Sequence, residues 1–260
     1  MRLSGLLALL GAGTALADPS FEWDTFTPTQ NAETKEVALT QTATFSASDF
    51  GSGNGVALNQ INLASVADDF SLDSSVGYSL VSVVVSVTLV SNDGPEWSIS
   101  NTSGLDGSIT PTEWSMNYTL PVTVSLGDGD SDPLQLSALG STPLTVPAER
   151  LDDGELFVDN GQSFSFRSSL TSTAQEISIP NDNEGNLDAF LTGSDGASVN
   201  AGTLASSANT PGVNNLNVSV LPNLSLRVTI TYNLVPEPTS FALLMTGAAF
   251  LLRRRRKLVK

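Results

Sequence analysis

Leu224-Ser-Leu-Arg-Val-Thr-Ile-Thr-Tyr-Asn-Leu234 alternates apolar and polar residues without a break. A repeat of two puts Leu224, Leu226, Val228, Ile230, Tyr232 and Leu234 on one face of an extended chain and Ser225, Arg227, Thr229, Thr231 and Asn233 on the other. The stretch is a strand with one buried and one wet face. The same period recurs at Val81, Val83, Val85, Val87 and Leu89. It recurs again at Trp114, Met116, Tyr118, Leu120, Val122, Val124 and Leu126, whose polar partners are Ser, Asn, Thr and Pro121. Pro121 has no N–H to give to a ladder, so its run is expected at a sheet edge or bent at the proline.

Shorter strands are readable at 37–45, 56–63, 97–100, 134–136, 156–158, 164–166, 177–179 and 213–220. Turn pairs separate them: Asp93-Gly94, Asp106-Gly107, Asp128-Gly129, Asp153-Gly154, Asn160-Gly161 and Asp195-Gly196. No amphipathic helix of ten residues is found between Asp18 and Leu234. Many short strands at this spacing predict an all-β fold, an antiparallel β-sandwich over residues 18–234. The least structured parts are expected at 18–36 and 127–149. The second is read as a long loop in one domain, with a linker between two sandwiches as the alternative.

The two ends have a different character. Arg2, the apolar run Leu3–Leu10 and Ala15-Leu16-Ala17 make a signal peptide over 1–17, with the mature chain beginning at Asp18. At the other end Pro236 and Pro238 lack donors, so Pro-Glu-Pro is expected to be a stiff, unpaired, accessible spacer. Thr239–Leu252 carries no charge, and Arg253, Arg254, Arg255, Arg256 and Lys257 follow at once. An uncharged helix abutting cations inserts with the cations inside, so 239–252 reads as a short transmembrane helix and 253–260 as a basic cytoplasmic tail. Fourteen residues give roughly 21 Å against a hydrocarbon core of about 30 Å, a deficit that snorkelling arginines and local thinning absorb in part.

Pro236-Glu237-Pro238-Thr239, Leu243-Leu244, Gly247 and the cluster Arg253, Arg254, Arg255, Arg256 together resemble a PEP-CTERM sorting signal, found at the C-terminus of many exported proteins of biofilm-forming Gram-negative bacteria. The resemblance covers about 25 of 260 residues. It implies an exported substrate of exosortase, a membrane-bound cysteine protease, which acts near the motif and releases or re-anchors the protein at the surface. A second resemblance rests on Leu80–Val87 with Phe70 upstream, Ile99-Ser-Asn-Thr-Ser-Gly104 and the closing Val228–Leu234. These residues look like a choice-of-anchor domain, type E, which implies a carrier of interchangeable surface anchors and no enzymatic activity.

Composition narrows the chemistry. Between Asp18 and Val235 only Lys35, Arg150, Arg167 and Arg227 stand against 26 carboxylates, a net charge of −22. Such a surface repels phosphate backbones and excludes nucleic acid as a partner, while it favours solubility and divalent cations. There is no Cys, so no disulfide supports the exported domain, and no His, which removes the Ser-His-Asp and Cys-His machinery and the usual zinc ligands.

Asp128-Gly-Asp-Ser-Asp132 sets Asp128, Asp130 and Asp132 at alternate positions, as at the start of a Ca²⁺ loop. Pro133 and Leu139 stand where an EF-hand needs Gly and a bidentate Glu, so only a looser Ca²⁺ site or an acidic solvent loop fits. Paired carboxylates could serve a glycosidase, but among 26 none stands out by spacing, and Ser-x-x-Lys is absent around Lys35. Trp114 lies on an apolar face and is assigned to the core. Trp97, beside Pro95 and Glu96, and Trp23, near the mature N-terminus, are the candidates for stacking on sugar rings. The expectation is a non-enzymatic, cofactor-free structural protein of the cell surface or exopolysaccharide matrix, exported by the general secretion machinery and sorted by exosortase. The alternative is a carbohydrate-binding or Ca²⁺-dependent adhesive module.

Overall fold

The computed structural model describes residues 23–237 except 52, 54, 75, 128–131, 182–186 and 212–215. The alternating runs become strands, and every strand pair is antiparallel. One sheet has the order β1 (Thr27–Gln30), β2 (Val37–Ser46), β16 (Ser225–Pro236), β4 (Tyr78–Val90), β12 (Gln175–Pro180). The facing sheet runs β11 (Thr171–Thr173), β8 (Leu134–Pro143), β7 (Ser115–Ser125), β13 (Ser198–Ala201), β3 (Val56–Ala57), with β14 (Ala205–Asn209) also beside β7.

The two sheets close on one core. Val83, Val85, Val87 and Leu89 of β4 and Leu226, Val228, Ile230 and Tyr232 of β16 meet Tyr118, Leu120, Val122 and Val124 of β7, all of them buried. Each aliphatic side chain removed from water this way stabilises the fold by about 1.5–3 kcal/mol. On the outer face Thr40 and Thr231 face each other at 3.2 Å, as do Thr42 and Thr229. Among the described residues helices are confined to single turns, such as α1 (Val66–Asp69).

A second, smaller core lies beside the first. The sheet β10 (Ser163–Arg167), β5 (Glu96–Ser100), β15 (Asn217–Leu221) and the pair β6 (Gly107–Ile109), β9 (Leu156–Val158) enclose Trp97, Ile99, Trp114, Leu144, Leu156 and Val158. Met116 packs against both cores, which joins the two lobes through β7. Asn101, fully buried, ties this lobe together. Its amide donates to the carbonyls of Leu105 and Val158, 2.7 Å each, and its Oδ1 accepts from the Ser103 N–H and hydroxyl.

Three expectations are corrected. The run carrying Pro121 is not an edge strand: β7 is flanked by β8 on one side and by β13 and β14 on the other. Pro121 accepts from the Gly202 N–H at 2.8 Å, in the gap between Ala201 and Ala205 where β13 has ended and β14 has not begun. Because N–H and C=O of a strand residue point the same way, the missing donor faces that gap and no ladder bond is lost. Residues 127–149 are not one long loop, since 134–143 form β8 and pair with β7 over ten positions. The domain also does not stop at Leu234, because β16 continues to Pro236.

Candidate functional site

The chain leaves the domain along its middle strand. β16 pairs with β2 on one side and with β4 on the other, and the register against β4 shifts between Asn233 and Leu234. Pairing then resumes as Leu234 with Leu80, Val235 with Ser79 and Pro236 with Tyr78. One residue on, the Glu237 N–H donates to the Gly77 carbonyl at 2.8 Å, and the Ser79 hydroxyl donates to Glu237 Oε1 at 2.8 Å. Gly77 has no Cβ to interfere: one would stand 3.1 Å from Glu237 Oε2. The same carboxylate borders an open pocket of about 430 Å³ formed with Leu63, Val66, Ala67 and Val76.

Pro236 and Glu237 are therefore not part of an unpaired spacer. The hydrophobic pattern carries β16 past Leu234 because Val235 and Pro236 still have β4 alongside them, and a proline at the last strand position breaks no pairing beyond itself. Pro238, Thr239 and Arg253, Arg254, Arg255 and Arg256 lie outside the described residues. Residues 234–257 match the PEP-CTERM protein-sorting motif. The PEP-CTERM motif is recognised by exosortase, so the chain is exported and sorted by that route, as a processed protein of the cell envelope or surface. Residues 1–17, read from sequence as a signal peptide, and the segment 239–252 also lie outside the described residues, and no described helix is long and apolar enough to cross a membrane.

No curated protein matches this chain. A solved structure of the infectious bursal disease virus Gx strain aligns with 90% of this chain at 12% identity. This chain covers 56% of that one, and the TM-score of 0.11 is too low for the likeness to say anything of the fold.

A second feature lies at the opposite end of β4. β12 pairs with β4 only from Ser82 to Val87, so Thr88–Val90 have an open edge, and a notch of about 590 Å³ occupies it. Two of the four cations between Asp18 and Val235, Arg167 and Arg227, line this notch together with Asn92, Ser169 and Ser172. Arg167 stands 3.8 Å from both Asp93 and Glu96, exposed contacts of little energy. Arg227 forms no ion pair among the described residues, and the Asn92, Ser169 and Ser172 side chains form no hydrogen bond among them. The wall is firmly built: Ser168 donates its N–H to Pro95 O and its hydroxyl accepts the Thr145 N–H, both at 3.0 Å.

The residues singled out from sequence fall elsewhere. Trp97 is fully buried in the smaller core, its ring 6.4 Å from that of Trp114, so the expectation that it is open to a sugar is corrected. Glu-Trp-Ser-Ile-Ser alternates like the longer runs, and its inward positions are Trp97 and Ile99. Trp23 packs against the larger core and donates its indole N–H to Ala57 O at 3.0 Å, which leaves only part of the ring exposed. Trp114 is in the core as expected, with its indole N–H on Pro211 O at 3.0 Å. Asp128 and Asp130 lie outside the described residues and Asp132 is exposed. Among the described residues no three acidic side chains are grouped to hold a metal. The notch was not found from sequence, where Arg167 and Arg227 entered only the charge count; their scarcity was the signal that could have found them.

Proposed function

We propose that this chain is a structural protein of the cell surface or the exopolysaccharide matrix, without enzymatic activity. Residues 1–17 direct it through the general secretion route, 239–252 hold it in the membrane with 253–260 inside, and exosortase then acts near Pro236–Thr239. The upstream β domain serves as the exported cargo, a carrier of the choice-of-anchor kind. The observation that carries this reading is the PEP-CTERM motif beginning inside the last strand of that domain.

The test is the intact mass of the protein recovered from the surface and medium of its own cells. The expected mass begins at Asp18 and ends near Pro236–Thr239. A mature mass that retains Arg253–Lys257 overturns the sorting reading.

The notch favours a second reading, a binding module for an acidic saccharide. An anion is repelled by most of a surface carrying −22 but meets two guanidinium groups here, with an amide and two hydroxyls to engage sugar oxygens. Titration with oligouronates at low salt is expected to show binding that Arg227→Ala weakens about tenfold, roughly what one charge-assisted hydrogen bond supplies. Equal affinity for the variant removes the notch from consideration. Loss of binding on chelation, with the variant unaffected, moves the site to Ca²⁺ at Asp128, Asp130 and Asp132.

A further inference from the structure

We propose that folding of the β domain and processing of the sorting motif compete for the same two residues, Pro236 and Glu237. A seated β16 withholds the start of the motif from exosortase, and an unseated end presents it. This inference rests on the exosortase reading above and adds to it a role for the folded domain.

A protease takes its substrate as an extended chain whose backbone groups are open to pair with the enzyme. In the folded domain the N–H of Glu237 is bound to Gly77 and its side-chain carboxylate to Ser79, while Pro236 is paired with Tyr78. The sequence leaves no spacer to compensate, since only Pro238 stands between Glu237 and the uncharged run that starts at Thr239.

The end of β16 is also built to open separately. The register shift between Asn233 and Leu234 interrupts the ladder, and beyond it only Leu234, Val235 and Pro236 pair with β4. Past the shift Leu234 is still buried, but Val235 and Pro236 are half-buried and Glu237 is exposed, whereas every inward residue from Leu226 to Tyr232 is fully buried. A short, partly exposed segment past a bulge opens at far lower free energy than the core strand it continues. β16 is moreover the last strand to emerge during export, and it must insert between β2 and β4, which are already across. Until it does, the motif is extended and unpaired.

The experiment follows tail loss by intact mass after a pulse of synthesis in the native cells. Val235 and Ser79 are direct partners across the ladder, where Cα atoms stand about 4.5–5.5 Å apart, within disulfide reach. The chain has no cysteine of its own, so a Ser79→Cys/Val235→Cys pair closes only on itself in an oxidising compartment. This lock is expected to slow tail loss at least tenfold, and a thiol reductant to restore it. Ser82→Cys/Asn233→Cys, also direct partners but upstream of the bulge, carries the same chemical burden and is expected to process at the wild-type rate. Ser79→Ala, which frees the Glu237 carboxylate, should speed processing roughly threefold. If the lock and its reduced form lose the tail at the same rate as the wild type, the proposal is overturned. If the wild type itself never loses the tail, it is the exosortase reading that fails.

Discussion

Tyr232 occupies an inward position of β16 and carries a hydroxyl into an apolar core, where an unpaired oxygen is expensive. The hydroxyl donates to Asn59 O at 2.5 Å and accepts from the Gln41 amide at 3.2 Å, while Gln41 Oε1 accepts from the Asn59 amide at 2.9 Å. Phe26 and Phe190 meet its ring edge-on at 5.6 and 6.1 Å. Burial pushes the phenol well above its ordinary value of 10.0, against a smaller lowering by Gln41, and burial also raises Tyr118. An unfolded tyrosine ionises near pH 10 while the folded one keeps its proton. The stability this gives is therefore complete below about pH 10 and is lost as pH rises above it. Tyr232→Phe is expected to cost about 1–3 kcal/mol at neutral pH by orphaning Asn59 O and the Gln41 amide, and to flatten part of the alkaline loss. Urea midpoints at neutral pH and above pH 10 measure both, and an unchanged alkaline slope would refute the assignment. Alternation in the sequence placed Tyr232 inward correctly, but no period could announce its partner Asn59, which lies in the expected strand 56–63 yet beyond the end of β3 at Ala57. Trp97 teaches the converse: its inward position was legible in Glu-Trp-Ser-Ile-Ser, and the neighbouring Pro95 obscured it.

At the scale of elements, the long strands β4, β7 and β16 were legible because one face of each is wet and the other dry. The strands missed from sequence, β1, β6, β11, β13 and β14, carry at most one large apolar residue each, so no alternation registers. β7 shows why its place in the sheet was misread: Pro121 forbids a donor, yet a sheet whose neighbouring strand is broken opposite the proline asks for none. The arginine notch depends on a comparable fit, because Gly94 lies at φ +73 against the next segment. A Cβ there would stand 2.3 Å from Ser168 O. Gly94→Ala is expected to lose roughly 2 kcal/mol or more, from left-handed strain of about 1–2 kcal/mol plus the displacement of that carbonyl. Gly104, at φ +85 with nothing within 4 Å of its Cβ site, supplies the comparison. Gly104→Ala carries the strain alone, so equal thermal shifts for the two variants would deny the contact any part.

For the whole molecule, the sheet that holds the core is closed by strands from both ends of the domain: β16 sits between β2 and β4. Such long-range pairing is slow to form and leaves a late opening for anything that acts on the tail. Charge acts at this scale too. With 26 carboxylates against four cations between Asp18 and Val235, self-repulsion opposes the compact state, and added salt relieves it. The melting temperature of the isolated domain is expected to rise by several degrees between about 0.01 and 0.15 M NaCl, over which the screening length falls from about 30 to 8 Å. A melting temperature that falls with salt would mean that attractive pairs outweigh repulsion.

The position of β16 also decides how the domain bears load. Tension on the tail runs along a strand bonded on both sides, over ten residue pairs with β2 and twelve with β4. Force applied at Glu237 must shear both ladders together. Had the chain left from β1 or β12 at an edge, the same pull would peel one ladder a pair at a time. Were the tail held while the domain is dragged, the few pairs beyond the bulge would give way first and lengthen the link, while the strand behind them stays seated.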